Sequence, residues 1–318
     1  MLRYIIRRLL WLIPVLICVS LIIYILMDLA PGTIIDSMIT EQMTPEDIEK
    51  LRQEYDLDKP LIYRYGKYMW GLLHGDLGKS MVTELGVWDQ FMSRFPATLK
   101  LSLVSVVFGT CLAIPIGIFA ARRAGTVWDN LTTGFTLLGT SMPSFWLGLL
   151  LLILFAYKIK LLPAGGYQGP ASYILPAITS GLMMTAITAR QTRSSMLEVL
   201  RADYLRTARA KGVPEKVVIR RHALRNAWIP ILTTIGMGLS RFLAGSAVIE
   251  TVFSWPGIGR LTVEAVLQRD VTLACGCVIM TCILYVIVLL IVDLLYAFVD
   301  PRIKGQYASG SRKGKVTA

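Results

Sequence analysis

Residues 203–230 read DYLRTARAKGVPEKVVIRRHALRNAWIP. This polar, basic stretch interrupts an otherwise apolar chain. Before it, residues 161–189 carry no charge at all; after it, the run to Ile249 is broken only by Arg241. Within the stretch, Asp203 is positioned to cap a short helix running through Lys211, and Gly212 ends that helix. Pro214, with Glu215 in the first turn, then starts another. The spacing predicts two short helices joined by a glycine turn. A mere connector need be neither this long nor this well capped, whereas a rigid protrusion suits docking into a groove on a soluble partner.

Outward from this stretch, the chain of 318 residues is 54% hydrophobic and 17% charged, against about a quarter charged in ordinary soluble domains. The apolar residues gather in blocks of about 20, the length that crosses a bilayer core. Spanning segments must satisfy their backbone groups internally, as helices or as strands of a closed barrel. Barrel strands alternate apolar and polar residues; these blocks are continuous, so they are helices. Six are expected: Leu9–Met27, Leu101–Ala121, Leu131–Tyr157, about Ile174–Ala189, about Ala227–Ile249, and Val271–Val292 with room to continue to Val299 past Asp293. The first follows Arg3, Arg7 and Arg8, but it is longer than a signal-peptide core and no small-residue cleavage site precedes Pro31, so it reads as a retained helix. The fourth and fifth are rich in Gly, Thr and Ser, which suits faces turned toward other protein.

The net charge is +12, and its placement sets the orientation. Lys and Arg concentrate at the N-terminus, at Arg122 and Arg123, across 190–226 and in the tail. These alternate as cytoplasmic segments for six helices with both ends inside. The basic balance therefore anchors topology in the lipid bilayer and does not point to nucleic acid. Segment 31–97 is acidic, with 11 Asp/Glu against 7 Lys/Arg, and is assigned outside. In it, Thr44-Pro45-Glu46-Asp47 starts a helix ending near Tyr55. A second starts near Asp58-Lys59-Pro60, with Ile62, Tyr65, Met69, Leu72 and Leu73 on one face, suited to the membrane surface or to a partner. Three regions result: residues 1–93, a first spanning helix with an extracytoplasmic helical loop; 94–300, the main helical membrane domain; and 301–318, a basic cytoplasmic tail.

Catalytic signatures are absent. There is no Gly-rich phosphate loop, no His-Glu-x-x-His, no Gly-x-Ser-x-Gly and no carboxylate pair within a span. The five cysteines all lie in apolar stretches. Cys275-Gly-Cys277 lacks a second ligand pair and reads as small buried hydrophobes, so no metal site is expected. An ion-coupled transporter needs ionisable relays inside the membrane. Asp28, Glu250 and Asp293 sit toward helix ends, where charge is tolerated. Arg241 lies nearer mid-membrane; Arg241 and Asp293 are the candidates for a translocation path or an intramembrane pair. This scarcity disfavours a secondary transporter or channel, and the missing catalytic cluster disfavours a membrane enzyme.

The 203–230 stretch resembles the cytoplasmic loop of binding-protein-dependent ABC importer permeases, with its Glu-Ala-Ala, three residues, then Gly. Arg206, Thr207 and Ala208 stand in the first three places and Gly212 in the last, a form similar to the dipeptide, oligopeptide and nickel branch. Leu224 is kept, while Arg225 replaces the Pro of the general pattern and a proline follows only at Pro230. Similar to the same branch are the opening Tyr4, Arg7, Arg8, Leu9 and Leu10, and Gly75-Asp76-Leu77-Gly78-Lys79-Ser80. So too are Pro96-Ala97-Thr98-Leu99, Ser141-Met142-Pro143-Ser144-Phe145-Trp146, Glu250–Gly259 and Asp300-Pro301-Arg302. The resemblance implies an all-α polytopic membrane protein, a type I ABC importer transmembrane domain of six helices with both termini inside. It would sit in a bacterial or archaeal cytoplasmic membrane beside a paralogous permease subunit, two ABC ATPase subunits and an extracytoplasmic solute-binding protein. ATP and Mg would bind in the ATPases, with no cofactor on this chain. The coupling loop would comprise Asp203, Tyr204, Arg206, Thr207, Ala208, Arg209, Lys211 and Gly212. The implied cargo is a di- or oligopeptide, with nickel or a metal chelate as the alternative within the branch.

Overall fold

A computed structural model describes residues 2–30, 35, 44–244 and 246–299, with side chains over 5–30, 35, 44–244 and 246–294. The start of the outer segment and the basic tail, including Pro301 and Arg302, lie outside the described residues. Among the described residues the chain is almost wholly helical, its one bridge of extended backbone pairing Lys79 with Gly86. Four helices are long and apolar enough to cross a membrane: Ile5–Leu29, Val87–Arg122, Pro170–Leu200 and Val271–Leu294. A fifth results if Val127–Ser141 and Ser144–Lys158, bent by 97°, count as one span. The described residues form two compact units, one from Leu2–Leu99 with Ala244–Val286, the other from Lys100–Leu243 with 287–299.

The first unit holds α1 (Leu2–Leu29), α2 (Pro45–Glu54) and α3 (Leu61–Leu73), together with the start of α4 (Val87–Arg122). It also holds α10 (Ala247–Val252), α11 (Ile258–Leu267) and the start of α12 (Val271–Val299). Thr44 caps α2 as its sequence predicts. The Thr44 hydroxyl accepts from the Asp47 N–H at 3.3 Å, and the Asp47 carboxylate accepts from the Thr44 N–H at 3.1 Å. Helix α3 follows Pro60, but its buried face differs from the expected one. Tyr65, Tyr68, Met69 and Leu72 pack toward Tyr24, Cys275 and Ile279, while Ile62 and Leu73 are 81% and 76% exposed. The inward face thus meets α1 of the same chain. Tyr65 donates to the Ile17 carbonyl at 3.0 Å, and Arg64 pairs with Asp28. Leu77, Val87, Phe91, Ile258, Leu261, Leu273 and Cys277 form the main core.

The second unit holds the rest of α4, α5 (Val127–Ser141) and α6 (Ser144–Leu151), which runs into a π-helical segment, Leu152–Lys158. It continues with α7 (Ile174–Leu200), α8 (Asp203–Ala210) and α9 (Leu224–Leu243). The third apolar block is therefore not one straight span, as its unbroken apolar character suggested. Pro143 cannot donate, and its ring drives Met142 to an extended ψ of 127°. The fourth block runs eleven residues beyond its expected end at Ala189. It is the most buried span, 61% of its apolar window against 11% for α1, as its small and hydroxylated residues indicated. A Cβ on Gly109 would stand 2.8 Å from the Gly181 carbonyl and 2.9 Å from Met184, and Thr185 donates to the Gly109 carbonyl at 3.2 Å. This backbone approach lets α4 and α7 lie close. The fifth block forms α9 only as far as Leu243, its last residues Ala247–Ile249 falling in α10, and α9 is not among the spans named above because Asn226, Thr233, Thr234, Ser240 and Arg241 dilute its apolar content.

Candidate functional site: the α8 protrusion

Helix α8 has eight residues, too short to hold itself together in water. It holds because Leu205, 0% exposed, plugs a core of Met196, Val218, Ile219, Ala223, Ala227 and Ile231. Ala208 and Val213 pack on the edge of the same cluster. Around this buried residue, Asp203, Tyr204, Arg206, Thr207, Arg209, Lys211 and Gly212 are all exposed.

The ends of the element differ from the sequence reading in two details. The N-cap is Ala202, with no side-chain cap bond; Asp203 is the first helical residue and lies near Arg206 at 3.9 Å. Lys211 is the C-cap and not the last helical residue. Gly212 does end the helix, at φ +73°, the left-handed conformation that glycine adopts without a Cβ penalty. The expected second short helix is not separate. Glu215–Val217 runs through a π-helical segment, Val218–Ala223, directly into α9.

Two side-chain links hold the turn. Arg209 donates to Glu215 through Nε and Nη2, both at 3.0 Å. This fork holds the Glu215 carboxyl below the usual carboxylate range and raises Arg209. Asn226 on α9 donates to the Tyr204 hydroxyl at 3.0 Å. Arg206 and Lys211 remain directed to solvent. Such an element can present fixed positive charge and a preset backbone to a groove.

The other two candidates are placed differently. Arg241 is exposed in the last turn of α9, at a helix end, where a cation complements the helix dipole. Asp293 is half-buried in α12. Among the described residues, no group of three or more His, Cys, Asp or Glu is placed to hold a metal ion.

Sequence reasoning missed the buried acids of the first unit. Glu250 does not sit at a tolerant helix end; it is 0% exposed. It accepts from the Thr98 hydroxyl at 2.7 Å and from the Arg260 N–H at 2.9 Å. Trp255 donates to the Ala97 carbonyl at 3.0 Å. Asp270, also 0% exposed, accepts from Ser80 at 2.5 Å and Met81 at 3.1 Å, and from the Leu273 N–H at 2.9 Å as the cap of α12. The motif stretches 96–99 and 250–259 are thus joined to each other, and stretch 75–80 is tied through Ser80 to the start of α12. The signal available was the acid beside Thr251 and the glycines at 257 and 259, which leave room for its carboxylate.

The family described as binding-protein-dependent transport system inner membrane component matches residues 113–305, and its N-terminal counterpart matches 1–102. The chain belongs to this family. This permease is 39% identical over 336 residues to the dipeptide transport system permease protein DppB of Escherichia coli (strain K12), covering 96% of this chain and 99% of that one. It is 38% identical over 335 residues to the di/tripeptide transport system permease protein DppB of Pseudomonas aeruginosa (strain UCBPP-PA14), covering 96% and 100%. To the glutathione transport system permease protein GsiC of Escherichia coli (strain K12) it is 39% identical over 304 residues, covering 96% and 99%. Two inward-facing structures of the MetNI methionine ABC transporter match with TM-scores of 0.56 and 0.58 at 18% and 16% identity. Each match covers 66% of this chain and 96% of the other. The permease therefore has the fold of a type I ABC importer transmembrane domain.

Proposed function

We propose that this permease is one of two paralogous pore-forming subunits of an ATP-driven importer that carries di- or oligopeptides across a bacterial cytoplasmic membrane by alternating access. The observation that carries the coupling reading is α8: a helix whose one fully buried side chain is Leu205, with Arg206, Lys211 and Gly212 turned outward. Two ABC ATPase subunits, which bind ATP and Mg, engage this element. The permease binds no cofactor and does no chemistry itself. ATP closes the ATPase pair, and the contacts to α8 differ between the two states, as any ligand-driven switch requires. The names of the relatives, which transport dipeptides, di/tripeptides and glutathione, favour a peptide over nickel or a metal chelate.

In this reading six helices cross the bilayer with both termini inside, α5–α6 and α9 completing the four long spans, as the alternation of Lys/Arg-rich segments supports. Residues 1–93 form the first span and the outer helical cap, 94–300 the permease domain and 301–318 the inner tail. A solute-binding protein delivers cargo at the outer face. Arg241 and Asp293 line the path or pair within the membrane.

The test is reconstitution of the permease with its paralogue, ATPases and binding protein in proteoliposomes, followed by uptake of a labelled dipeptide. ATP-dependent uptake that needs all four components supports the assignment. Uptake by the permease alone, without ATP, would replace it with a secondary transporter.

A further inference from the structure

The geometry points to Asp129 and Arg193 as a positioning pair that makes α5 follow α7 when α8 is displaced. This rests on the coupling role proposed for α8. Asp129 is 3% exposed, in the first turn of α5. Its two carboxylate oxygens accept separate bonds from one guanidinium, Arg193 Nε at 2.6 Å and Nη2 at 2.7 Å. A third bond comes from the Gly125 N–H at 3.0 Å, on the link that leaves α4, where Gly125 has φ +80°. One buried carboxylate thus gathers the link from α4, the start of α5 and the body of α7.

The location gives the pair its purpose. Helix α7 is continuous over 27 residues to Leu200, and α8 begins at Asp203 after a turn closed by Ala202 N–H to the Val199 carbonyl at 2.9 Å. Arg193 lies seven residues before the end of α7, about 10 Å along its axis. A push on α8 therefore reaches Arg193 through rigid helix. A single hydrogen bond would let α5 pivot; two parallel bonds on a planar fork also fix its orientation. Toward its other end, α5 rests on α7 mainly through small contacts, Gly139 against Ala186 and Thr140 near Arg190 at 3.5 Å. Beyond Ser141 comes the 97° bend. The ionic clasp is thus the stiff joint between the coupling element and the broken α5–α6 segment.

The test compares wild type, Arg193→Lys and Asp129→Asn in the complete reconstituted importer, reading dipeptide taken up per ATP hydrolysed. Lysine keeps the charge but loses the fork. The expected result is a fall of about tenfold in the ratio for Asp129→Asn and a smaller fall for Arg193→Lys, with both variants recovered in the assembly. A merely structural loss lowers the amount of assembly and leaves the ratio unchanged. An unchanged ratio in both variants, or failure of both to assemble, overturns the inference. Wild type that takes up no dipeptide rejects the peptide assignment instead. The pair is then judged by the rise in ATP hydrolysis on adding binding protein, which Arg193→Lys must reduce.

Discussion

Glu250 and Thr98, 152 positions apart, meet at 2.7 Å in a site closed to solvent. Thr98 in turn accepts from the Ile258 N–H at 2.9 Å, so one hydroxyl joins α4, α10 and α11. Removing the acid strands the Thr98 donor and the Arg260 N–H in the interior. Glu250→Ala is expected to cost more than about 2 kcal/mol, read as a lowered midpoint of thermal unfolding in detergent. Gly257→Ala should act on the same spot, because a Cβ there collides with the Glu250 carboxyl.

The same residue gives a pH signature. Burial pushes the Glu250 carboxyl above the usual carboxylate range, so the folded state holds this proton more tightly than the unfolded chain. Its contribution is full below the unfolded value of about 4.3 and is lost as pH rises through the folded value. Glu250→Gln, which cannot ionise, should gain stability relative to wild type as pH rises above the unfolded value of about 4.3. Parallel unfolding midpoints for the two proteins across that range would show that the carboxyl is not desolvated.

Glu215 should behave in the opposite sense. Arg209 holds its carboxyl low, so the link contributes above the unfolded value and weakens as pH falls through the folded one. The pair is half-exposed and is worth at most about 1 kcal/mol. Glu215→Gln should therefore leave global stability nearly unchanged while speeding backbone hydrogen exchange at Lys211, Gly212 and Val213, most visibly at neutral pH.

Gly212 separates conformation from packing. A Cβ there meets nothing within 4 Å, so substitution costs only the left-handed backbone, about 1–2 kcal/mol for an ordinary residue. Gly212→Val is expected to insert in the membrane normally and to lose ATPase coupling. Gly212→Asn, tolerated at such φ, should keep most of it. Equal uptake by wild type and Gly212→Val would remove the 203–212 element from the coupling path.

Between α4 and α7 the limit is space. Gly109→Ala would press on the Gly181 carbonyl and Met184, an overpacking expected to cost about 1–3 kcal/mol. Met184→Ala in the same chain should recover only a small part of it, because the Cγ contact is removed while the Met184 Cβ, also 2.9 Å away, stays.

What the sequence made legible was local. The Thr44 cap, the glycine stop at Gly212, the long last helix and the protein-facing character of α7 are written within a few residues of where they act. What it hid was either long-range or a small departure from regular helix. Glu250 looked cheap because its partner lies on another helix. Arg193 read as one of the basic residues that set topology and Asp129 drew no reading, since nothing in either neighbourhood names the other. The bend at Pro143 was masked by apolar residues on both sides. The face of α3 shifted because the expected stripe counted Ile62 and Leu73 for hydrophobicity, while packing on α1 chose Tyr68.

The burial of α7 bears on how the protein is made. It is the least apolar of the four long spans and the most buried, with hydroxyls and glycines where lipid-facing residues would otherwise stand. A bilayer accepts such a segment poorly by itself, whereas α4 is apolar enough to enter alone and carries the glycines that receive α7. Membrane integration of the fourth block thus depends on an earlier helix already being in position, so a defect at Gly109 would first appear as misrouted nascent chain and not as a slow transporter.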